Sequence, residues 1–358
     1  MKLPPITILA TLLLTVPAAA QLQITPPATI PSPPPEKQKP PPPAKKKEAA
    51  PAPKPAASPK PAVSPKPALP ATVIPAPATD TPGVDLVFGA YQRGQYKTAF
   101  ELATERAKAG DPKAMTMLGE LYSNAMGIRR DYAKALEWYK RASDAGDREA
   151  MFAQAMMRMS GRGGPVDKGE AVKLMASSAK LGEPKAAYNL ALLYLDGQTL
   201  PQDVKRSAEL LRQAADAGLP EAQYALATFY KEGTGVPKDA ERAVRLLQAA
   251  SLADNVDAEV EYAIAMFNGT GTPKNQPAAV ALLRKASRQG SAIAQNRLAW
   301  VLINGMGATA DKIEGFKWHL VAKTAGKGDP DLDKQFSDLP AEDRAKAEAA
   351  ARKWLGTK

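Results

Sequence analysis

Few side chains in this sequence could carry out catalytic or metal chemistry. The chain contains one histidine, His319, and no cysteine, so zinc sites and Cys–His or Ser–His nucleophiles lack their usual components. The glycine-rich stretches 161–164 and 233–235 lack the preceding strand and the lysine of a phosphate-binding loop. Carboxylates are abundant, but a glycosidase needs two of them held across a cleft. We therefore expect no catalytic residue, no cofactor and no metal ion.

The single histidine belongs to a regularly spaced series of large side chains. At intervals of 36 residues, the positions before His319 are occupied by Tyr139, Met175, Leu211, Leu247 and Leu283. Apolar residues at a fixed spacing mark a packing position on a helix. We expect His319 to be a structural residue with no catalytic role.

The spacing of 36 residues runs through the whole folded part of the chain. Glycine closes each period, with one aspartate in its place, at Gly110, Gly146, Gly182, Gly218, Asp254, Gly290 and Gly326. A fixed period of this size is typical of a solenoid, in which stacked repeats bury a shared core. The elements that position every side chain are therefore expected to be copies of one unit.

The copy at 111–146 predicts two helices joined by a turn. Asp111 followed by Pro112 is a typical helix start, because the carboxylate caps the first amides and proline fits the first helical position. Asp131 is expected to cap the second helix and Gly146 to end it. Both helices carry an apolar stripe at helical spacing.

Three further positions of the repeat, which we call slots, carry the same kind of residue in every copy. The caps equivalent to Asp131 are Asp167, Asp203, Asp239, Asn275 and Asp311. Glu170 and Glu314 stand three residues after two of these caps and predict a reciprocal capping box. The first helix has a small residue, which predicts close helix–helix approach, at Gly119, Ala155, Ala191, Ala227, Ala263 and Ala299. The second helix has a large residue, which predicts deep burial, at Trp138, Leu174, Leu210, Leu246, Leu282 and Trp318.

The copy at 111–146 contains the pattern A-x-x-x-L-G-x-L-Y, a glycine turn, D-x-x-K-A-x-x-W-Y-x-x-A and a closing A-G. This pattern resembles the Sel-one-like repeat (SLR) family, which is related to tetratricopeptide repeats (TPR). Six copies cover residues 111–326, although Gln154 and Arg158 replace the usual leucine and tyrosine in one of them. The resemblance implies an all-α, right-handed superhelical solenoid of two-helix repeats. It also implies a protein-binding scaffold without shared catalytic residues.

Four segments flank the repeats. Residues 1–20 resemble a secretory signal peptide, with Lys2, a short apolar run and a small-residue cleavage site, so we expect an exported protein that is periplasmic or secreted. Residues 21–82 are expected to be a disordered Pro/Ala/Lys-rich linker. Residues 84–110 predict an N-terminal TPR-like capping unit, and residues 327–358 predict C-terminal capping helices. An uncleaved signal that acts as a membrane anchor stays open as the alternative.

The formal net charge of the chain is +11. Residues 21–82 hold eight lysines against three acidic residues, and one hypothesis is that this charge keeps the linker near an anionic envelope polymer. Over the repeats, acidic and basic residues are mixed without a basic stripe and interleaved aromatics, which argues against nucleic-acid binding. Contact with a membrane is expected only if the signal peptide is uncleaved.

A second apolar ladder lies on the first helices, on a face other than the core stripe. By analogy with TPR arrays, we expect this face to line a concave groove that binds the partner. The predicted groove residues are Phe152, Met156, Tyr188, Leu192, Leu195, Tyr224, Ile264, Phe267, Trp300 and Ile303. Asp196, Glu232 and Asn304 are predicted to offer polar contacts at the helix ends. The alternative, burial of the ladder between tightly curved repeats, stays open.

Three functional hypotheses are consistent with these features. The first is an exported, non-enzymatic scaffold that binds a protein or peptide segment in the groove, in envelope regulation or cell-wall assembly. The second is a protein that binds or hydrolyses an envelope polymer such as peptidoglycan, and hydrolysis would require two convergent carboxylates in a pocket. The third is a spacer whose linker, residues 21–82, matters more than its repeats.

Overall fold

The structure of the protein is a computed structural model that describes residues 85–356. These residues form sixteen α-helices and no strand. The predicted signal peptide at 1–20 and the predicted linker at 21–82 lie outside the described residues. In chain order the helices are α1 Leu86–Gln92, α2 Tyr96–Lys108, α3 Pro112–Asn124, α4 Tyr132–Asp144, α5 Arg148–Ser160, α6 Lys168–Lys180, α7 Pro184–Asp196, α8 Val204–Asp216, α9 Pro220–Glu232, α10 Ala240–Leu252, α11 Val256–Asn268, α12 Gln276–Arg288, α13 Ala292–Ile303, α14 Lys312–Thr324, α15 Pro330–Ser337 and α16 Ala341–Gly356.

Helices α3 to α14 are six consecutive pairs, and each helix packs against the helix before it and the helix after it. One pair cannot enclose its own apolar faces, so the core is shared between neighbouring pairs. The α1–α2 pair precedes this series, and α15 and α16 follow it. The all-α solenoid of two-helix repeats that the period predicts is confirmed.

Each second helix of the series begins at the predicted capping residue. The Asp131 carboxylate accepts the N–H of Lys134 at 3.0 Å, and the backbone N–H of Asp131 donates to the Tyr122 carbonyl of α3 at 3.1 Å. Equivalent side-chain caps are made by Asp167, Asp203, Asp239, Asn275 and Asp311. The cap therefore closes the turn onto the first helix as well as starting the second.

The reciprocal capping boxes predicted at Glu170 and Glu314 are not formed. The amide that Glu314 would have to reach, the N–H of Asp311, donates instead to the Leu302 carbonyl at 3.0 Å. The Glu314 carboxylate accepts a hydrogen bond from Arg284 of the preceding second helix. In the copy of Glu170 the cap amide likewise donates to a carbonyl of the first helix. The turn of this repeat brings that carbonyl to the cap, so the prediction was wrong in both copies.

Left-handed backbone closes each period. Gly146 has a φ of +88°, and Asp254, which replaces glycine, stays in the same region with a φ of +59°. A side chain in this conformation costs on the order of 1–3 kcal/mol. The Lys285 ammonium lies 2.7 Å from the Asp254 carboxylate and 2.6 Å from that of Glu259, which is fully buried. These two contacts hold the strained turn against α12.

The small slot of the first helix confirms the predicted close approach of the two helices. A Cβ on Gly119 would lie 2.6 Å from the ring of Tyr139, so this pair needs glycine. Copies with alanine in the slot, such as Ala191, oppose a smaller side chain, such as Leu211, and both are buried. The largest side chain of one slot therefore stands opposite the smallest residue of the other.

On the second helix, the slot of large side chains that is buried in every copy lies one residue later than predicted. The slot that runs from Tyr139 to His319 is buried in all six copies. In the slot predicted to be deepest, Leu210 and Trp318 are buried. The half-buried members of that slot are Trp138, Leu174, Leu246 and Leu282. This slot lies at the edge of the core stripe, and its burial depends on the neighbour: the Trp354 ring of α16 covers Trp318 with the two centroids 5.0 Å apart.

Candidate functional site

The single histidine lies inside the core rather than in a cleft. His319 in α14 is buried, and its Nε2 lies 2.8 Å from a carboxylate oxygen of Asp333 in α15. The same oxygen accepts a hydrogen bond from Lys323 at 2.7 Å. Hydrogen bonds with Lys323 and His319 hold the pKa of Asp333 below its usual range. The histidine joins α14 to α15, which supports the structural interpretation.

Two kinds of site are not found within residues 85–356. No group of three or more histidine, aspartate or glutamate side chains is placed there to hold a metal ion. No helix in this range is long and apolar enough to cross a membrane. The remaining candidate is the apolar ladder of the first helices.

The predicted groove residues lie on α5, α7, α9, α11 and α13 and divide into two groups. Eight of them are half-buried and pack on the core with part of the side chain exposed: Phe152, Met156, Tyr188, Leu195, Tyr224, Ile264, Phe267 and Trp300. Leu192 and Ile303 are only 4 % and 6 % exposed, so for these two the burial alternative is correct. Ile303 closes over Gly315 of α14, where a Cβ would lie 2.6 Å from its Cγ1.

The half-buried residues recur at the same positions of successive first helices, and side-chain contacts join α9 to α11 and α13 to the start of α15. Lys231 of α9 pairs with Glu261 of α11 at 3.0 Å. The indole N–H of Trp300 in α13 donates to Asp329, the N-cap of α15, at 3.3 Å. We call the eight half-buried residues and their surroundings the first-helix surface.

Acidic side chains lie near the two tyrosines in the middle of the first-helix surface. The acidic neighbours are Glu221 for Tyr188 and Glu232, Asp257 and Glu261 for Tyr224. Burial raises the pKa of both tyrosine hydroxyls, and these negative charges raise it further. Each tyrosine therefore keeps a protonated hydroxyl, a hydrogen-bond donor, on an apolar ring that packs against the core.

A sequence search for apolar side chains misses the charged residues of this surface. Glu261 and Arg297 occupy the same position in consecutive copies. These opposite charges at equivalent positions are the feature of the sequence that could have indicated a charged part of the surface. Burial lowers the pKa of Arg297 against the opposing influence of Asp329 and Glu261. The predicted polar residues at the ends of the first helices are half or fully exposed: Asp196, Glu232 and Asn304.

Comparison with protein-family models finds the same period. A model described as Sel1 repeat matches the chain six times, at residues 112–147, 148–183, 184–219, 220–255, 256–291 and 292–327. Together these matches cover more than half of the chain. No curated protein matches the chain.

The solved structures that are similar to this chain include two proteins with this repeat fold. A Sel1 repeat protein from Oxalobacter formigenes is 26% identical over 67% of this chain and 98% of its own, with a TM-score of 0.60. The protein c5321, described as a protective antigen present in uropathogenic Escherichia coli strains with an SLR fold, is 23% identical over 75% of this chain and 67% of its own, with a TM-score of 0.51. The second likeness concerns the fold alone. An array of this kind presents an extended surface suited to binding another protein.

Proposed function

Because the chain belongs to the Sel1 repeat family, we propose that it is an exported, non-enzymatic scaffold that binds an extended segment of a partner protein on its first-helix surface. The observation that carries the proposal is the row of eight half-buried side chains on successive first helices. Contiguous apolar side chains that stay partly exposed are typical of partner surfaces. The character of residues 1–20 supports export, and the role we favour is in envelope regulation or cell-wall assembly.

Binding on this surface works by burial of apolar side chains against aromatic anchors. Tyr188, Leu195 and Tyr224 supply the apolar contact area, and large aromatic side chains dominate the energy of such interfaces. The protonated tyrosine hydroxyls donate to carbonyl oxygens of the bound segment. Asp196 and Glu232 form part of a polar rim. Since the anchors sit on packed helices, little conformational entropy is lost on the scaffold side.

Site-specific crosslinking in intact envelopes tests this proposal. A photoreactive residue replaces Tyr188 or, as the matched control, Tyr194, which is half-buried on the same helix but outside the first-helix surface. We expect a discrete protein adduct from position 188 and none from position 194. The variant Tyr188→Ala/Tyr224→Ala should lose the same partner in a pull-down, while Tyr194→Ala retains it.

Three outcomes would count against the proposal. Identical adducts from both positions would show contact without specificity. Identical partners for wild type and an equally folded Tyr188→Ala/Tyr224→Ala variant would show that these first-helix surface residues are not needed for binding. A peptidoglycan fragment in place of a protein adduct would favour the envelope-polymer hypothesis.

A further inference from the structure

Three side chains converge where α8, α9 and α10 meet. The Tyr230 hydroxyl oxygen in α9 accepts hydrogen bonds from Nη2 of Arg212 in α8 at 3.1 Å and from Nη1 of Arg242 in α10 at 3.4 Å. The Arg242 guanidinium also lies over the Tyr230 ring, 5.6 Å from its centroid. Tyr230 is 5 % exposed, whereas both arginines are exposed. One buried phenol thus holds two solvent-facing guanidiniums side by side.

The charges of this cluster are only partly neutralised. Arg242 pairs with Asp239 at 3.1 Å, while Arg212 forms no ion pair with any described residue. The three charged groups leave one net positive charge. Burial raises the pKa of the Tyr230 hydroxyl, but hydrogen bonds from Arg242 and Arg212 outweigh burial and leave that pKa below its usual value. The surroundings of the phenol therefore favour negative charge.

The same two positions carry opposite charges two repeats later. The equivalents of Arg212 and Arg242, 72 residues on, are Arg284 in α12 and Glu314 in α14, and those two side chains form an ion pair. At that interface the chain supplies its own anion. Between α8 and α10 the corresponding position holds a second cation, and like charges at short range repel unless an anion lies between them.

We propose that Arg212 and Arg242, held in place by Tyr230, bind a phosphate or phosphodiester group. Each guanidinium is a rigid planar fork of N–H donors that matches a pair of phosphate oxygens. Because the two forks come from different helices, a tetrahedral oxyanion can present separate oxygens to each, whereas a carboxylate has two oxygens in one plane. The site involves the second helices α8 and α10, and it does not depend on the first-helix surface.

Titration calorimetry of the full chain with inorganic phosphate tests the site directly. Wild type should bind one phosphate ion per chain. Arg212→Gln and Arg242→Gln should each weaken binding by about tenfold or more, since each removes charge-assisted hydrogen bonds. The matched control is Arg245→Gln, because Arg245 is exposed on the same helix and pairs with Glu241 at 3.8 Å. Its affinity for phosphate should equal that of wild type.

The substitution Arg242→Glu gives a second readout that separates binding from folding. It places a glutamate opposite Arg212 and so copies the arrangement of Arg284 and Glu314. We expect phosphate binding to be lost while the melting temperature stays the same or rises. The proposal fails if wild type shows no saturable phosphate binding, if Arg242→Glu binds phosphate as tightly as wild type, or if acetate binds as tightly as phosphate.

Vesicle sedimentation identifies the source of the phosphate group. Wild type and Arg242→Glu are compared on vesicles of phosphatidylglycerol mixed with phosphatidylcholine, so that any contribution of the lysines in 21–82 is common to both proteins. A loss of sedimentation in Arg242→Glu would support a phosphodiester carried on a lipid or polymer. Equal sedimentation, together with calorimetric binding of inorganic phosphate to wild type alone, would support a small soluble phosphate.

Discussion

The first and second helices of this chain repeat with the same period of 36 residues, but the residues that recur on them differ in burial. The slot of Leu211 and its equivalents is buried in every copy, whereas the first-helix surface keeps half-buried side chains in copy after copy. One unit can thus encode two stripes, one that its neighbours cover completely and one that they leave partly open. We expect stability to concentrate in the first stripe and binding in the second.

Leucine truncations in the two stripes give the largest expected difference. Leu211→Ala removes a fully buried side chain from the middle of the array and should lower the free energy of unfolding by about 2–5 kcal/mol. Leu195→Ala is the matched change on the first-helix surface and should cost clearly less, because part of that side chain is already exposed. Urea unfolding measures both. Equal losses would show that the two stripes do not differ in the way proposed.

The contact between Gly119 and Tyr139 tests how tightly the buried stripe is fitted. Gly119→Ala forces a methyl group against the Tyr139 ring and should cost about 1–3 kcal/mol. Adding Tyr139→Leu recreates the pairing of Ala191 with Leu211 and should recover part of the loss. A double-mutant cycle in urea measures this coupling. Additive effects of the two changes would mean that the slots are independent.

Local sequence signals predict where the helices begin and end, whereas the burial of side chains at the edge of a stripe depends on the adjacent repeat. The cap at Asp131 and the turn at Gly146 depend on a few adjacent residues, so the sequence alone predicts them. Burial at the edge of a stripe depends on the next repeat, which is why Trp138 and Trp318 share a slot but differ in burial. For the same reason Leu192 is buried although its equivalents in other copies, such as Met156 and Ile264, are half-buried.

The facing arginines of α8 and α10 could be found only once the repeat register was known. Arg212 and Arg242 are 30 residues apart, as are Arg284 and Glu314. That spacing has no meaning within a single helix, since side-chain pairs on one helix are three or four residues apart. The structure shows that it joins the second helices of consecutive repeats.

The Asp333 carboxylate, which contacts the buried His319, should make the stability of the fold depend on pH. Hydrogen bonds with Lys323 and His319 lower the pKa of Asp333 in the folded state below its ordinary value of 3.8. The carboxylate therefore stabilises the fold above that value, and this contribution is lost as the pH falls through the lower, folded-state pKa. Wild type should melt at a higher temperature than Asp333→Asn at neutral pH, and the two should converge in strong acid.

The control for this titration is Asp331→Asn, on the exposed side of the same helix. Its melting temperature at neutral pH should stay close to that of wild type. A difference between wild type and Asp333→Asn that persists unchanged at the lowest pH would show that packing, rather than charge, links His319 to α15.

The smallest expected effect comes from the lysines near the first-helix surface. Lys238 is exposed, and Lys238→Ala should change the free energy of unfolding by no more than about 0.5 kcal/mol. Lys231 pairs with Glu261 at 3.0 Å, and both side chains are partly exposed, so Lys231→Ala should cost about 0.2–1 kcal/mol. The excess loss in Lys231→Ala should disappear in concentrated salt, because such a pair is screened. If Lys231→Ala still lost more unfolding free energy than Lys238→Ala in concentrated salt, the Lys231 side chain would also pack on the core. Lys231 would then belong to the buried stripe.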